Sequence, residues 1–361
     1  MAMTVSLDRY LATDCKTGSL RLHATQLEMG KAMMFSGGNF LIIGRAGMDF
    51  YADPPGTKFE EATRFTTALG GSSANIAAGL TRLGQRAALV TCVSDDAVGR
   101  YCLGQLDAYG IDRTHVHRVG GEARNSLAVV ETRLEDCQSV IYRNGAADFE
   151  MSKEHVENIN YADYDALVTT GTVLASEPSR GAAFMAFEQA RAAGVPLVFD
   201  IDYRPYSWTS TDEAASVYAR AGSLCDIIIG NDEEFGFMAG DYAKGLEKAR
   251  GLVAGRSTLA IYKMGPKGAI TITKQGETRS GVFPTRALKP TGAGDSFMAA
   301  FLASLADARP VSEAVVRGSA AASIVVSRVG CAPAMPTPAE LDEKLAAYPD
   351  ISEISDAYST A

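Results

Sequence analysis

Short continuous runs of apolar residues recur along the chain and alternate with longer segments whose apolar residues repeat at helical spacing. The alternation predicts buried strands joined by helices, and residues 178–193 and 314–326 are the clearest helices. Continuous apolar strands joined by helices are typical of a parallel sheet covered on both faces, so we expect a doubly wound, mainly parallel α/β fold. The predicted strands are residues 40–43, 87–91, 166–169, 197–200, 227–229 and 259–262.

Two segments break this alternation, residues 51–68 and 116–143. The second alternates apolar and polar side chains from Ser126 to Thr132, and neither carries a helical pattern. We therefore predict that both form a small sheet beside the main one. An exposed sheet edge favours pairing with another chain, so we also expect a homodimer formed through this sheet.

Length and composition predict one large domain at residues 39–345, between an N-terminal extension (1–38) and a C-terminal tail (346–361). The 361 residues are 47% hydrophobic and 21% charged, which suits a large buried core. The net charge of -9 disfavours nucleic acid and anionic membranes as partners. Six widely spaced cysteines, with no signal-peptide or membrane-spanning run, indicate reduced thiols in a cytoplasmic protein.

A glycine turn near the C-terminus carries the strongest chemical signal. In Lys289-Pro290-Thr291-Gly292-Ala293-Gly294-Asp295, the turn leads directly into an apolar helix. Backbone N–H groups at such a helix start point at one spot and attract an anion together with the helix dipole. A carboxylate beside a bound phosphate is suited to removing a proton from an attacking hydroxyl, which indicates phosphoryl transfer. The alternative is an ordinary helix start with an acidic residue.

A second glycine-rich element, Leu69-Gly70-Gly71-Ser72-Ser73-Ala74-Asn75, also opens an alanine-rich helix. Together with the turn before Asp295 it resembles the two signatures of the ribokinase family, the phosphofructokinase-B-like carbohydrate kinases. Residues 43–49 and the Asn-x-x-Glu element at 230–234 also match. The resemblance covers residues 39–345 and implies a ribokinase-like three-layer fold, a β-sheet lid over a sugar, and ATP-dependent phosphorylation.

The resemblance implies a role for each matched residue. Asp295 would be the catalytic base, and Gly292, Ala293 and Gly294 would form an anion hole for the transferring phosphoryl group. Asp49, Gly71 and Asn75 would bind sugar hydroxyls, Asn231 and Glu234 would orient Mg²⁺ through water, and Asn231, Lys263, Gly265 and Gly268 would bind the nucleotide. Simpler roles stay open: a helix cap for Asn75, a turn for Gly71, a solvated loop for Asn231 and Glu234, and a surface lysine for Lys263.

The chain departs from the family pattern at Lys289 and Pro290, where many members have Asp and Thr. That Asp usually helps to hold a monovalent cation, so the need for potassium is open here. The Lys289 ammonium either supplies part of that charge or points to solvent.

Three arginines, Arg45, Arg143 and Arg204, lie in segments that the family places around the sugar, and Arg180 is a further candidate. Guanidinium groups bind carboxylates bidentately and keep their charge, so this group favours an acidic sugar. Arg143 and Arg204 also resemble the sugar-acid-binding arginines of 2-keto-3-deoxygluconate kinases. The alternative is that Arg45 and Arg204 form structural ion pairs with neighbouring aspartates.

Within the family, residues 141–148, 202–208 and 320–327 most resemble one group of sugar-acid kinases. We therefore predict an ATP-dependent sugar-acid kinase. Two alternatives stay open: a kinase for another sugar acid, and a non-catalytic sugar-acid sensor on the same fold. The presence of Asp295 with its glycine turn argues against a sensor, and the absence of a G-x-x-x-x-G-K-[ST] sequence excludes a Walker-type nucleotide kinase.

Overall fold

A nine-stranded sheet and a four-stranded sheet form the framework of the part of the chain that is described, residues 35–133 and 137–352 of a computed structural model. The predicted extension lies outside the described residues apart from 35–38, and so does the predicted tail apart from 346–352. In chain order the strands are β1 (Asn39–Ile43), β2 (Gly47–Asp53), β3 (Arg64–Gly70), β4 (Arg86–Ser94), β5 (Val116–Val119), β6 (Leu127–Val130), β7 (Ser139–Tyr142), β8 (Ala166–Thr170), β9 (Leu197–Asp200), β10 (Ile227–Asn231), β11 (Leu259–Lys263), β12 (Ala269–Thr273) and β13 (Gly276–Ser280).

The main sheet has the order β13-β12-β11-β10-β9-β8-β1-β4-β5. From β5 to β11 every neighbouring pair is parallel. The pairs β11–β12 and β12–β13 are antiparallel. All six predicted strands belong to this sheet. The predicted mainly parallel sheet is therefore confirmed.

Helices cover both faces of the main sheet. The helices that do so are α1 (Ser72–Arg82), α2 (Ala97–Ala108), α3 (Ser179–Ala192), α4 (Thr211–Leu224), α5 (Asp232–Ala239), α6 (Gly245–Ala254), α7 (Ala293–Ala306) and α8 (Val311–Val325). Two more, α9 (Pro338–Ala346) and α10 (Pro349–Ser352), pack against α8. No helix in these two described ranges is long and apolar enough to cross a membrane.

Alternate side chains of each buried strand supply two separate cores, because successive strand residues point to opposite faces. On β1, Phe40 and Ile42 pack with α1, α2, α7 and α8. Leu41 and Ile43 pack on the other face with α3, α4, α5 and α6. All four side chains are fully buried, which explains why the strand is apolar without alternation.

The small sheet has the order β3-β2-β6-β7. Its first strand in the chain, β2, begins at Gly47, before the predicted start at residue 51, so Asp49 belongs to this sheet. The prediction that the whole segment 116–143 joins the small sheet is wrong for Val116–Val119. That strand is β5, which pairs in parallel with β4 because α2 carries the chain back along the main sheet as a crossover.

Candidate active site

A cavity of about 550 Å³ lies at the carboxyl ends of the main-sheet strands, and the small sheet forms one of its walls. Ala128 of β6 and Ile141 of β7 line that wall. The cavity brings together every predicted site residue except Arg143: Arg45, Asp49, Gly71, Asn75, Arg204, Asn231, Glu234, Lys263, Gly265, Gly268, Gly292, Ala293, Gly294 and Asp295. Ligand sites of open α/β sheets lie at this edge.

Residues 291–294, called the turn before α7 from here on, have the geometry of an anion site. Gly292 is the N-cap residue and has φ +86, a left-handed conformation that disfavours other residues. A Cβ at this position would lie 2.8 Å from Cys331 Sγ, so packing also requires glycine. The N–H groups of Ala293 and Gly294 are in the first turn of α7, where no intrahelical carbonyl accepts them, and the positive end of the helix dipole lies there.

Asp295 lies one residue beyond this turn and is held by Asn75. The Asn75 amide donates a 2.7 Å hydrogen bond to Asp295 Oδ2. Burial, together with the charge of Asp202, raises the pKa of Asp295 to about 6, although Asn75, Arg204 and Lys263 act in the opposite direction. A carboxyl group with this pKa is mostly ionised at pH 7 and is suited to accepting a proton.

Asn75 itself lies inside α1, whose N-cap is Gly71, so the helix-cap alternative for Asn75 is wrong. Its Oδ1 atom is buried and receives no hydrogen bond from any described residue. Buried acceptors are nearly always satisfied in folded proteins, so this atom is available to a hydroxyl of a bound ligand. Gly71 has φ +96, and a Cβ on it would lie 2.4 Å from the Arg45 carbonyl oxygen, so the turn alone already requires glycine there.

Asp49 faces the cavity from the small sheet and is 5% exposed. The Tyr51 hydroxyl donates a 2.9 Å hydrogen bond to Asp49 Oδ2. Burial raises the pKa of Asp49, while Arg45, the Tyr51 hydrogen bond and Lys289 partly offset that effect. The carboxylate is therefore held in place with one oxygen left for a ligand hydroxyl.

The predicted arginines surround Asp202, which follows β9 and has φ +38. Arg204 Nη2 lies 2.6 Å from Asp202 Oδ1, and the Ser72 hydroxyl donates to the other oxygen at 2.5 Å. Burial opposes ionisation of Asp202, but Arg204, Ser72, Arg45 and Arg143 together lower its pKa. The positive charge of all three arginines thus acts on Asp202. The alternative that Arg204 forms an ion pair with a neighbouring aspartate is correct in this conformation.

Arg143 is buried behind the cavity wall. It donates to Asp148 through two guanidinium nitrogens and to the Thr172 carbonyl at 2.8 Å, and it stacks over the Phe149 ring at 4.1 Å. Arg45 lines the cavity and donates to the Ser126 hydroxyl at 3.0 Å.

Arg180, the further candidate, lies away from the cavity lining. It pairs with Glu213 at 2.7 Å and lies over the Trp208 ring.

Asn231 and Glu234 form a reciprocal cap at the start of α5. Asn231 Oδ1 accepts from the Glu234 N–H at 2.8 Å, and Glu234 Oε2 accepts from the Asn231 N–H at 2.7 Å. Glu234 is 8% exposed, so the solvated-loop alternative is wrong for this residue. The cap fixes both side chains at the end of β10, where they line the cavity.

Asp200, the last residue of β9, also lines the cavity and was not among the predicted site residues. Burial raises its pKa well above the usual range, as it also raises that of Glu234, while Lys263 lowers both. A polar residue that ends an otherwise apolar strand was the available signal for Asp200. Buried carboxylates of this kind are stabilised by an added cation.

A divalent cation fits beside Asp200 and Glu234 only if other ligands complete its coordination shell. No cluster of three or more His, Cys, Asp or Glu side chains within residues 35–133 and 137–352 could hold a metal alone. Asp200 and Glu234 nevertheless supply carboxylate oxygens, the ligands that Mg²⁺ prefers. The residues fit Mg²⁺ that is held mainly by phosphates and water.

Lys263 reaches towards the turn before α7. A Cβ on Gly294 would lie 3.4 Å from the Lys263 ammonium nitrogen, which is also 5.7 Å from the Phe297 ring centroid. The surface-lysine alternative is therefore wrong. Beyond Lys263, Gly265, Gly268, Val282 and Ala322 line the cavity.

Comparison with known proteins gives consistent results. A family model described as pfkB family carbohydrate kinase matches residues 39–338. A 5-dehydro-2-deoxygluconokinase of Geobacillus kaustophilus is 38% identical over 310 residues, covering 84% of this chain and 92% of the relative. Among solved structures, a PfkB protein from Polaromonas has a TM-score of 0.74 and 28% identity, covering 84% of this chain and 99% of that one. A Vibrio cholerae fructokinase solved with fructose, ADP and potassium has a TM-score of 0.77 and 24% identity, covering 86% and 99%.

Proposed function

The chain belongs to the pfkB family of carbohydrate kinases, and we propose that it phosphorylates the terminal hydroxyl of 5-dehydro-2-deoxy-D-gluconate with ATP, a step of myo-inositol catabolism. The observation that carries the chemistry is the Asn75–Asp295 hydrogen bond beside the turn before α7. It supports the proposal because three features are next to one another: the proposed base, the proposed anion site, and the Asn75 oxygen, which has no partner among the described residues and could accept from a hydroxyl.

In the proposed reaction the terminal hydroxyl lies between Asp295 and the turn before α7. Asp295 takes the hydroxyl proton as the oxygen attacks the γ-phosphorus. The new O–P bond forms as the bond from the γ-phosphorus to the β,γ-bridging oxygen breaks, and ADP leaves with that electron pair. The N–H groups of Ala293 and Gly294 stabilise the charge that develops on the phosphoryl oxygens.

Lys263, Gly265 and Gly268 are proposed to bind the nucleotide. The Lys263 ammonium lies beside Gly294, which supports a role in stabilising negative charge on the transferring phosphoryl group. Asn231 and Glu234, with Asp200, are proposed to orient Mg²⁺ through its water ligands. When bound, Mg²⁺ neutralises charge on the β- and γ-phosphates.

The choice of a sugar acid rests on the arginines. The proposed substrate has a carboxylate at one end and a primary hydroxyl at the other, and the cavity is lined both by Arg45 and Arg204 and by Asp295. We propose that Arg45 and Arg204 bind the carboxylate. Arg143, whose charge also acts on Asp202, strengthens the positive potential from behind the wall.

We also propose that two copies pair through the small sheet. Val140 and Tyr142 of β7 are 49% and 58% exposed, although Ser139 and Ile141 of the same strand face the cavity. Apolar side chains on an open sheet are suited to covering by a second copy. Light scattering on wild type is expected to give the dimer mass and Tyr142→Lys the monomer mass. A wild-type monomer at micromolar concentration contradicts the pairing.

Product analysis tests the proposed reaction. The protein is incubated with ATP, Mg²⁺ and 5-dehydro-2-deoxy-D-gluconate, and the product is examined by phosphorus-31 NMR with proton correlation. We expect a phosphate monoester on the terminal carbon together with one equivalent of ADP. An ester at another carbon contradicts the assigned hydroxyl, and turnover of 2-keto-3-deoxygluconate instead would favour the alternative acid.

A further inference from the structure

Lys289 is a fully buried cation near the anion site. Its side chain is 0% exposed and lies three residues before Gly292 in the chain. Across the described residues, no carboxylate lies within 4.0 Å of its ammonium group. A buried charge without an ionic partner is costly, and such a charge is usually paired or binds a ligand.

Main-chain oxygens take the place of an ionic partner. The Lys289 ammonium donates to the Thr291 carbonyl at 2.6 Å and lies 3.4 Å from the Val325 carbonyl. Val325 is the last residue of α8, so its carbonyl belongs to the negative end of that helix. The ammonium therefore joins the turn before α7 to the end of α8 in the way that a small monovalent cation held by carbonyl oxygens would.

The neighbouring thiol does not neutralise this charge. Cys331 Sγ lies 4.0 Å from the Lys289 ammonium and 3.3 Å from the Tyr51 hydroxyl oxygen, and that hydroxyl donates its hydrogen to Asp49. Burial raises the pKa of Cys331 to about 12, so it stays a neutral thiol. Through these contacts the cation is also linked to the proposed sugar-binding carboxylate.

We propose that Lys289 is a built-in monovalent cation that holds the turn before α7 in its anion-binding form and makes a free potassium ion unnecessary. It is a positioning residue, because it lies outside the cavity lining and acts through Thr291 and Gly292. The inference rests on the proposed phosphoryl transfer. The bound phosphoryl group adds negative charge near the buried ammonium, in addition to the charge of Asp49, which acts on it from a greater distance than 4.0 Å.

The first test compares wild type with Lys289→Met, which keeps most of the side-chain volume without its charge. Wild type is expected to work equally well, within twofold, in sodium, potassium or tetramethylammonium chloride. Lys289→Met is expected to lose about 10- to 100-fold in kcat, with KM for the sugar acid changed less than threefold. Its Tm is expected to be unchanged or higher, because replacing a buried charge by an apolar group is often neutral or stabilising.

Lys274→Met is the matched control, since Lys274 is exposed in the turn between β12 and β13, and it is expected to behave as wild type. Calorimetry of ATP binding gives a readout that does not need the sugar, and Lys289→Met is expected to bind Mg-ATP about tenfold more weakly. If wild type turns over no sugar acid, the proposed function fails while this binding arm still tests Lys289. Unchanged ATP affinity together with wild-type kcat overturns the role of Lys289.

Lys289→Ala leaves space for an external cation. Propylammonium chloride, which matches the deleted atoms, is expected to restore activity at least fivefold, and propanol at the same concentration is not. Equal recovery with propanol means that Lys289 fills space only and overturns the proposal. Potassium activation of wild type, or failure of both variants to fold, also overturns it.

Discussion

The Asn75 amide donates a 2.7 Å hydrogen bond to the Asp295 carboxylate across a sequence separation of 220 residues. The bond joins the two glycine-rich elements, because Asn75 lies in the first turns of α1 and Asp295 in the first turn of α7, and the two helices pack together. It also holds the proposed base, Asp295, beside the proposed anion site. The proposed chemistry depends on this relationship.

Replacing the base tests that role first. Asp295→Asn is expected to lower kcat by about 10²- to 10⁴-fold, because the amide cannot accept the hydroxyl proton. The fold and ATP binding are expected to persist, which circular dichroism and calorimetry check. A variant within threefold of wild type at saturating substrate would show that another group is the base.

The pH profile tests the hydrogen bond itself. Because the reaction needs ionised Asp295, kcat/KM is expected to fall with decreasing pH through the Asp295 pKa of about 6. The Asn75 amide favours the charged form, so Asn75→Ala raises the pKa and moves the acid limb to higher pH. Initial rates from pH 5 to 9 measure the acid limb of wild type and that of the variant. An acid limb that stays in place, or moves to lower pH, contradicts the assignment.

The magnesium response tests Glu234. Glu234→Gln keeps an oxygen for the cap at the Asn231 N–H but removes the negative charge. The Mg²⁺ concentration for half-maximal rate is expected to rise about tenfold or more, with sugar affinity nearly unchanged. Titrations of Mg²⁺ and of sugar acid separate the two effects. A change in sugar affinity alone would place Glu234 in the sugar site.

The arginines are tested by comparing the sugar acid with an analogue whose carboxylate is reduced to an alcohol. Loss of a charge-assisted partner for a partly buried carboxylate costs about 2–5 kcal/mol. Arg204→Ala is therefore expected to lower kcat/KM for the acid by about 30- to 4000-fold and to affect the alcohol much less. Arg204→Lys recovers only part of the loss, because an ammonium cannot bind bidentately.

Arg180→Ala is the matched control for Arg204, since Arg180 pairs with Glu213 outside the cavity lining, and the acid-to-alcohol ratio is expected to stay unchanged. Arg143→Ala is expected to reduce the ratio as well, but also to lower Tm, because it leaves Asp148 buried without its partner. Equal losses on acid and alcohol for Arg204→Ala would assign that residue a structural role.

The main sheet and its helices were predictable because each central strand is a continuous apolar run that stays buried on both faces. Strand β6 of the small sheet was predictable for a different reason, since Leu127–Val130 alternates between the cavity and the outside. The pairing of Val116–Val119 with β4 was not, because a short strand carries little information about which sheet edge it joins.

Within the site, residues in glycine motifs were predictable because their backbone geometry restricts the sequence. The partners of charged residues were not, since pairing depends on the folded arrangement. Arg143 lies five residues before Asp148 and binds it, whereas the family resemblance suggested only that Arg143 binds the carboxylate of the substrate. For Lys289 the sequence left open whether the ammonium supplies part of a cation's charge or points to solvent, and the folded arrangement buries it completely.

The most direct test of the central claim is the specificity of wild type in a coupled ADP-release assay with ATP and Mg²⁺. The substrates compared are 5-dehydro-2-deoxy-D-gluconate, 2-keto-3-deoxygluconate, the reduced alcohol analogue, fructose and ribose. We expect the highest kcat/KM with 5-dehydro-2-deoxy-D-gluconate, at least tenfold above every neutral sugar because of the arginines that surround Asp202. Higher kcat/KM with fructose or ribose than with either acid would contradict the claim that this protein is a sugar-acid kinase.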